Sequence, residues 1–233
     1  MKKTTIFSLI TLLVLIPATL FLGTQLRGRW HYLTSTLVVL EAMLPFFVVF
    51  ETRKPQAREL VTIAVMAALA VAGRVAIPVP NFKAITGIVM IAGMAFGPQA
   101  GFMTGAISAF ASNFFYAQGP WTPWQMLAYG MGGFLAGVLF CEKASGKKKL
   151  ELLWQTLFGF FAVALIVGPL LDACTLFTTG GKLSWGYAAA VMLAGLPHNL
   201  IHGASTAVTV LLLSRPLLAQ LSRLKIKYGM MES

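Results

Sequence analysis

The chain has 233 residues, of which 58% are hydrophobic and only 11% carry a charge, whereas soluble domains carry about 25% charged residues. This composition excludes an ordinary soluble domain and predicts an all-α integral membrane protein. Its 18 Lys and Arg against 7 Asp and Glu give a net charge of +11. In a membrane protein we interpret this excess as basic loops that fix topology and contact the lipid bilayer. No nucleic-acid partner is expected.

The first apolar segment, residues 4–23, follows Lys2 and Lys3 and resembles a signal peptide in position. No small-x-small cleavage site follows it, because the chain continues Gly23-Thr-Gln-Leu-Arg-Gly-Arg29. Its length is close to the roughly 20 residues that span a bilayer. We therefore expect a retained transmembrane helix. With the second segment, residues 33–50, it forms an N-terminal helix pair within residues 1–57, whose role the sequence does not indicate.

Six further apolar segments predict a second, larger membrane domain over residues 58–214. A basic tail, residues 215–233, follows it. The fourth segment of the chain is short and abuts the fifth at Gly97-Pro98, which predicts a tight turn between them. The six segments of this domain are residues 58–76, 83–96, 99–117, 123–141, 151–172 and 187–214.

The distribution of basic residues predicts the orientation of these eight helices. With the N-terminus inside, only Arg27, Arg29, Arg74, Lys83 and Lys182 fall in outer positions, and the other 13 of the 18 Lys and Arg fall inside. The positive-inside rule therefore predicts a multi-pass protein of the plasma membrane with both termini in the cytoplasm.

Small residues recur every fourth position in the first helix of the larger domain, as Ala64-x-x-x-Ala68-x-x-x-Ala72. This spacing lets two helices approach closely in lipid, so we expect a membrane partner to dock there. The stripe Gly101-x-x-x-Gly105-x-x-x-Ala109 is interpreted instead as packing inside the domain. Gly146-Lys147 lacks the glycine and Ser/Thr of a phosphate-binding loop, so the chain is not expected to hydrolyse ATP.

The predicted outer loops, residues 74–83, 118–124 and 178–185, are rich in aromatic and turn residues, and the first two contain prolines. Interfacial tryptophans are commonly belt residues. Because the prolines stiffen these loops, they also suit a lidded pocket for a large, partly planar ligand.

Polar residues inside predicted membrane helices are functional candidates because each is costly in lipid. His198 and His202 are spaced four residues apart, which suits a metal, but a zinc hydrolase needs Glu directly after the first His. Asn199 stands there and cannot act as general base. A histidine pair that makes interhelical hydrogen bonds or lines a ligand cavity is therefore expected. No catalytic residue, metal or cofactor is predicted. The other candidates of this kind are Glu41, Asn113, Gln125 and Asp172.

Residues 58–214 resemble the substrate-binding (S) component of an energy-coupling factor (ECF) vitamin transporter. The resemblance rests on six helices after a basic inner start, on Ala64-x-x-x-Ala68, on the long outer loop 74–83, and on Gly119-Pro-Trp-Thr-Pro-Trp-Gln125. It implies that a vitamin binds at the outer face. It also implies that Ala64, Ala68 and Ala72 dock on a membrane coupling subunit, and that two cytoplasmic ATPases of the ECF module drive transport. The N-terminal pair departs from the six-helix pattern.

The outer-loop segment is most similar to that of the cobalamin-specific S components. Riboflavin and a queuosine precursor remain alternative ligands, and a stand-alone secondary carrier for a small solute remains an alternative function. The residues predicted to contact the ligand are Arg74, Asn81, Phe82, Lys83, Asn113, Tyr116, Trp121, Trp124, Gln125, Asp172, Trp185, His198 and His202.

Overall fold

The structure, a computed structural model, describes residues 7, 10–25, 30–141, 149–178 and 184–229. Within these residues the protein is helical and has no strands. Over its described residues, every predicted apolar segment falls on a helix, and a π-helical turn, Val163–Val167, joins the helices Lys149–Ala162 and Gly168–Thr178 into one rod. After a π-helical turn at Thr11–Leu15, the helices are α1 Ile16–Gln25, α2 Trp30–Thr52, α3 Ala57–Val75, α4 Ile85–Phe96, α5 Pro98–Tyr116, α6 Trp121–Phe140, α7 Lys149–Ala162, α8 Gly168–Thr178 and α9 Trp185–Tyr228.

Three helical stretches of the described chain are long and apolar enough to cross a membrane: Leu33–Thr52, Lys149–Phe177 and Trp185–Tyr228. Helices α3, α5 and α6 have 19, 19 and 20 residues, close to the length that spans a bilayer. The hydropathy of these three helices is lower than that of the three spanning stretches because small and polar residues replace aliphatic ones. The fold is that of an all-α membrane protein, a six-helix bundle preceded by two further helices.

Helix α4 is the centre of the bundle. It contacts α3, α5, α6 and α9, and every one of its side chains except that of Ala95 is buried. A helix surrounded in this way needs no lipid-facing surface and no full spanning length. This position explains why the fourth apolar segment is so short.

Helices α5 and α6 pack backbone against backbone, and glycines permit the approach. A Cβ atom on Gly105 would lie 2.5 Å from the carbonyl carbon of Tyr129, and one on Gly137 would lie 2.5 Å from Pro98. Gly101 and Gly133 face each other in the same interface. The prediction that the glycine stripe of α5 packs inside the domain is confirmed.

The N-terminal pair packs on the side of the bundle formed by α5, α6 and α8, through α2. The ring of Phe46 stacks on Phe102 at 4.0 Å between ring centres and meets Phe134 edge-on at 5.1 Å. Glu41 accepts a hydrogen bond of 2.6 Å from Thr19, so its described partner lies on α1 and not in the bundle. Ala64, Ala68 and Ala72 on α3 stay exposed. The described part of the pair therefore leaves the alanine stripe uncovered.

Helix α9 is longer than its apolar segment predicted. It has 44 residues and contains Pro197 and Pro216, which gives a length of about 66 Å, roughly twice the hydrocarbon thickness. Leu218 and Leu221 are buried in the main core, so packing holds the helix together beyond Pro216. The segment that was expected to begin a tail at residue 215 is thus helical as far as Tyr228.

Candidate ligand-binding site

A cavity of about 220 Å³ opens at the end of the bundle where α3 and α5 finish and α6 begins. Five helices and the α3–α4 loop contribute to it, so no single segment of sequence defines it. We call this end of the bundle the cavity end. The lining residues are Arg74, Asn81, Lys83, Tyr116, Gln125, Tyr129, Leu171 and His202.

Arg74 is held in the cavity wall by contacts on both sides of its guanidinium group. Nη1 donates to Ser112 Oγ and, at 3.0 Å, to Asn113 Oδ1. The amide of Asn113 donates in turn to Thr122 at 3.0 Å. The guanidinium carbon lies 4.8 Å from the ring centre of Tyr116, whose hydroxyl donates to the Arg74 carbonyl at 3.0 Å. These contacts fix the direction in which the guanidinium group points.

Lys83 enters the cavity from the α3–α4 loop. Its ammonium donates to the carbonyl of Ile77 and lies 5.8 Å from the ring centre of Tyr116. Ser205 on α9 clamps the Lys83 backbone: it donates to the Lys83 carbonyl at 2.8 Å and accepts from the Lys83 N–H at 3.2 Å. The loop is thus fastened to α9, and Lys83 is positioned by two elements distant in sequence.

His202 and Tyr129 form the inner part of the cavity. His202 Nε2 and Thr86 Oγ1 are 2.9 Å apart and hydrogen-bonded, and the Tyr129 ring meets the imidazole edge-on at 5.9 Å. Gln125 differs from these residues because its buried Oε1 atom has no hydrogen-bond partner among the described residues. An unpartnered buried amide oxygen is costly, which marks Gln125 as a group free to meet a ligand.

Six of the 13 predicted ligand contacts line this cavity: Arg74, Asn81, Lys83, Tyr116, Gln125 and His202. Asn113 lies behind the wall, bonded to Arg74. Tyr129 and Leu171 line it without having been predicted. Tyr129 follows Gln125 by one helical turn, which is a usable signal, whereas nothing in the sequence marks Leu171.

The other predicted contacts lie outside the cavity lining. Trp124 stacks on Phe177 at 5.7 Å, in the cluster that joins α6 to α2. Trp121 is 40% exposed and Trp185 is 94% exposed. Asp172 accepts a hydrogen bond from Asn199, and Phe82 is half-buried in the loop.

His198 and His202 do not face the same space. His198 is exposed, with Nδ1 3.3 Å from the carbonyl of Ala194, whereas His202 is buried in the cavity. A four-residue step turns the helix by about 40° beyond a full turn. Because of this offset, His202 points into the cavity while His198 lies at the surface. Among the described residues, no group of three or more His, Cys, Asp and Glu is placed to hold a metal.

This fold and cavity define a class: a membrane-embedded bundle with a polar, aromatic-lined binding site at one end and an exposed small-residue stripe on its side. Residues 54–221 match the family of the ECF-type riboflavin transporter, S component, and the chain belongs to that family. It is therefore the substrate-binding subunit of an ECF transporter, and its family is one of transporter components. No curated protein and no solved structure matches the chain.

The prediction of an S component is confirmed by this match. The cobalamin-specific subtype is not, since the matched family is described for riboflavin.

Proposed function

We propose that this chain binds riboflavin in the cavity at the end of α3, α5 and α6 and presents it to an ECF module for uptake. The observation that supports this most is the convergence of donors, an unpartnered acceptor and two tyrosine rings on one small cavity, in a chain of the riboflavin S-component family. Uptake of another vitamin, cobalamin included, is the alternative that the experiment below addresses.

The size of the cavity favours a flavin over a corrinoid. Its volume of about 220 Å³ lies below the roughly 300–1,000 Å³ of typical ligand pockets. A tricyclic flavin ring needs a modest adjustment of the loop to enter it. A corrinoid is several times larger and would require the helices themselves to separate.

The chemistry of the lining also suits a flavin ring. The pyrimidine edge of the ring alternates carbonyl acceptors with an N–H donor, and an amide side chain complements both. Gln125, with its free Oε1, and Asn81 are the amides of the cavity. Tyr116 and Tyr129 provide aromatic surface for the planar ring.

The cavity end is proposed to face the outside of the cell. With this orientation the short basic loops lie inside, which agrees with the positive-inside rule. Both termini are then cytoplasmic, and riboflavin reaches the cavity without crossing the membrane.

Docking on the coupling subunit is proposed to use Ala64, Ala68 and Ala72. These residues are exposed on α3, beside the exposed Val61 and Val65. Small residues at a four-residue spacing allow close helix contact in lipid, and the N-terminal pair packs on other helices. Two cytoplasmic ATPases of the module supply the energy, since the sequence predicts no phosphate-binding loop in the chain itself.

Titration of the purified full chain with riboflavin, cobalamin and a queuosine precursor tests this proposal. Quenching of flavin fluorescence follows riboflavin, and calorimetry follows all three. Saturable binding of riboflavin near 1:1 supports the proposal. Tight binding of cobalamin without riboflavin would overturn the flavin assignment, and binding of neither, with uptake in cells lacking the coupling subunit, would favour a stand-alone carrier.

A further inference from the structure

The described lining of the cavity carries two positive charges and no negative one. Arg74 and Lys83 line it, and none of the described lining residues is Asp or Glu. The polar groups that contact Arg74 are neutral: Ser112, Asn113 and the rings of Tyr116 and Tyr129. Without a ligand, the wall of the cavity therefore has an excess of positive charge.

The nearest acid along the lining helices does not pair with either cation. Asp172 follows the lining residue Leu171, but it makes no ion pair within 4 Å with Arg74 or Lys83, and its carboxylate accepts a 2.6 Å hydrogen bond from Asn199. In the part of the chain that the structure describes, the one ion pair within 4 Å joins Arg53 and Glu59, at the α2–α3 connection. Neither cation of the cavity therefore has a counter-ion within 4 Å among the described residues.

A buried cation without a counter-ion is unfavourable. Arg74 is only 9% exposed, and removing an ion from water costs several kcal/mol unless it is paired. Contact with a tyrosine face recovers only part of that cost. A ligand anion would recover much more, because guanidinium groups bind phosphate and carboxylate through paired, charge-assisted hydrogen bonds.

The two cations are also placed to act together. The Arg74 guanidinium and the Lys83 ammonium both lie over the ring of Tyr116, at 4.8 and 5.8 Å from its centre. One wall of the cavity therefore presents a guanidinium group and an ammonium group beside the same aromatic ring. Gln125 and His202 supply neutral hydrogen-bonding groups elsewhere in the lining.

We propose that the ligand of this cavity carries an anionic group, a phosphate or a carboxylate, that Arg74 and Lys83 bind together. The inference rests on the proposed function and deepens it: if the ligand is a flavin, the preferred form bears a phosphate ester or a carboxylate on its side chain. The neutral flavin then occupies the same cavity with lower affinity.

The test compares three flavins on the wild-type chain: riboflavin, flavin mononucleotide and a carboxyalkyl flavin. A charge-assisted hydrogen bond contributes about 1.5–3 kcal/mol, so we expect the phosphorylated flavin to bind about 10- to 100-fold more tightly than riboflavin. Raising the salt concentration from about 0.05 to 0.5 M should reduce this ratio. If the carboxyalkyl flavin gains as much, charge is recognised in general; if it gains less, phosphate is preferred.

Variants connect the preference to the two cations. In Arg74→Gln and Lys83→Gln, the ratio of the two affinities should fall several-fold, whereas the surface control Arg223→Gln should retain it. Because the readout is a ratio, a general loss of binding does not imitate the result. Riboflavin binding as tightly as its phosphate on the wild type, or a phosphate preference that persists in both variants, would overturn the inference and leave the proposed function standing. Failure of all three flavins to bind would overturn both.

Discussion

The carboxylate of Asp172 accepts a hydrogen bond of 2.6 Å from the side-chain amide of Asn199, and this contact joins α8 to α9 inside the bundle. Two glycines make room for it. A Cβ atom on Gly195 would overlap the Asp172 carboxylate, and one on Gly168 would overlap the Asn199 side chain. The contact is a polar link between helices, the use to which membrane proteins commonly put such residues.

The close fit around this link predicts the effect of a single methyl group. Gly195→Ala should lower the stability of the bundle by about 1–3 kcal/mol, as overpacking does in closely packed cores. The matched control is Gly186→Ala, where nothing lies within 4 Å of the added Cβ, so helix propensity alone should make it neutral or slightly stabilising. Thermal unfolding of the detergent-solubilised variants measures both. Equal midpoints for the two variants would mean that the link tolerates separation of α8 and α9.

For a change at Gln125 we expect weaker ligand binding without a loss of stability. Its buried Oε1 atom has no hydrogen-bond partner in the part of the chain that the structure describes, so Gln125→Leu removes no such bond to that atom and should leave the unfolding midpoint nearly unchanged. If the amide binds the flavin, the same change should weaken riboflavin binding about tenfold. Titration by flavin fluorescence measures the affinity, with the exposed Gln220→Leu as control. A Gln125→Leu protein of unchanged affinity would place the flavin edge elsewhere in the cavity.

The helices could be predicted from the sequence because each one is marked by a local run of apolar residues. Each of the eight apolar segments could be recognised without knowing its neighbours. The end of α9 was missed for a physical reason. The basic and proline-containing stretch after residue 214 has the composition of a tail, and only the burial of Leu218 and Leu221 by other helices extends the helix there.

Only part of the site could be predicted from the sequence, since six of the 13 predicted contacts line the cavity. Arg74 and His202 stand out because charged and polar groups inside a membrane domain are costly and need a purpose. Trp124 and His198 were selected by residue type, but the rotation of a helix decides which way each points. Trp124 stacks on Phe177 of α8 and His198 faces outward, and one sequence does not fix such rotations. Leu171 carries no chemical signal of its own.

The alanine stripe predicts a separation of binding from transport. Ala68→Trp places a bulky side chain in the surface proposed to dock on the coupling subunit, so transport should be abolished while riboflavin affinity stays the same. Ala190→Trp, at an exposed alanine of α9, provides the matched control and should retain both. Uptake of labelled riboflavin into cells that express the ECF module, alongside titration of the purified variants, measures the two quantities. Undiminished uptake by Ala68→Trp would exclude the stripe as the docking surface.

The N-terminal pair predicts a stability effect without a binding effect. Phe46 packs on Phe102 and Phe134, and none of these three rings lines the cavity. In water, Phe→Ala costs about 3–5 kcal/mol, but in lipid acyl chains are as apolar as the lost ring, so we expect a smaller cost, about 1–2 kcal/mol. Phe46→Ala should therefore lower the unfolding midpoint moderately and leave riboflavin affinity unchanged. Phe115→Ala, at a 67% exposed ring, should move the midpoint less. Loss of riboflavin affinity in a folded Phe46→Ala protein would instead mean that the pair takes part in shaping the cavity.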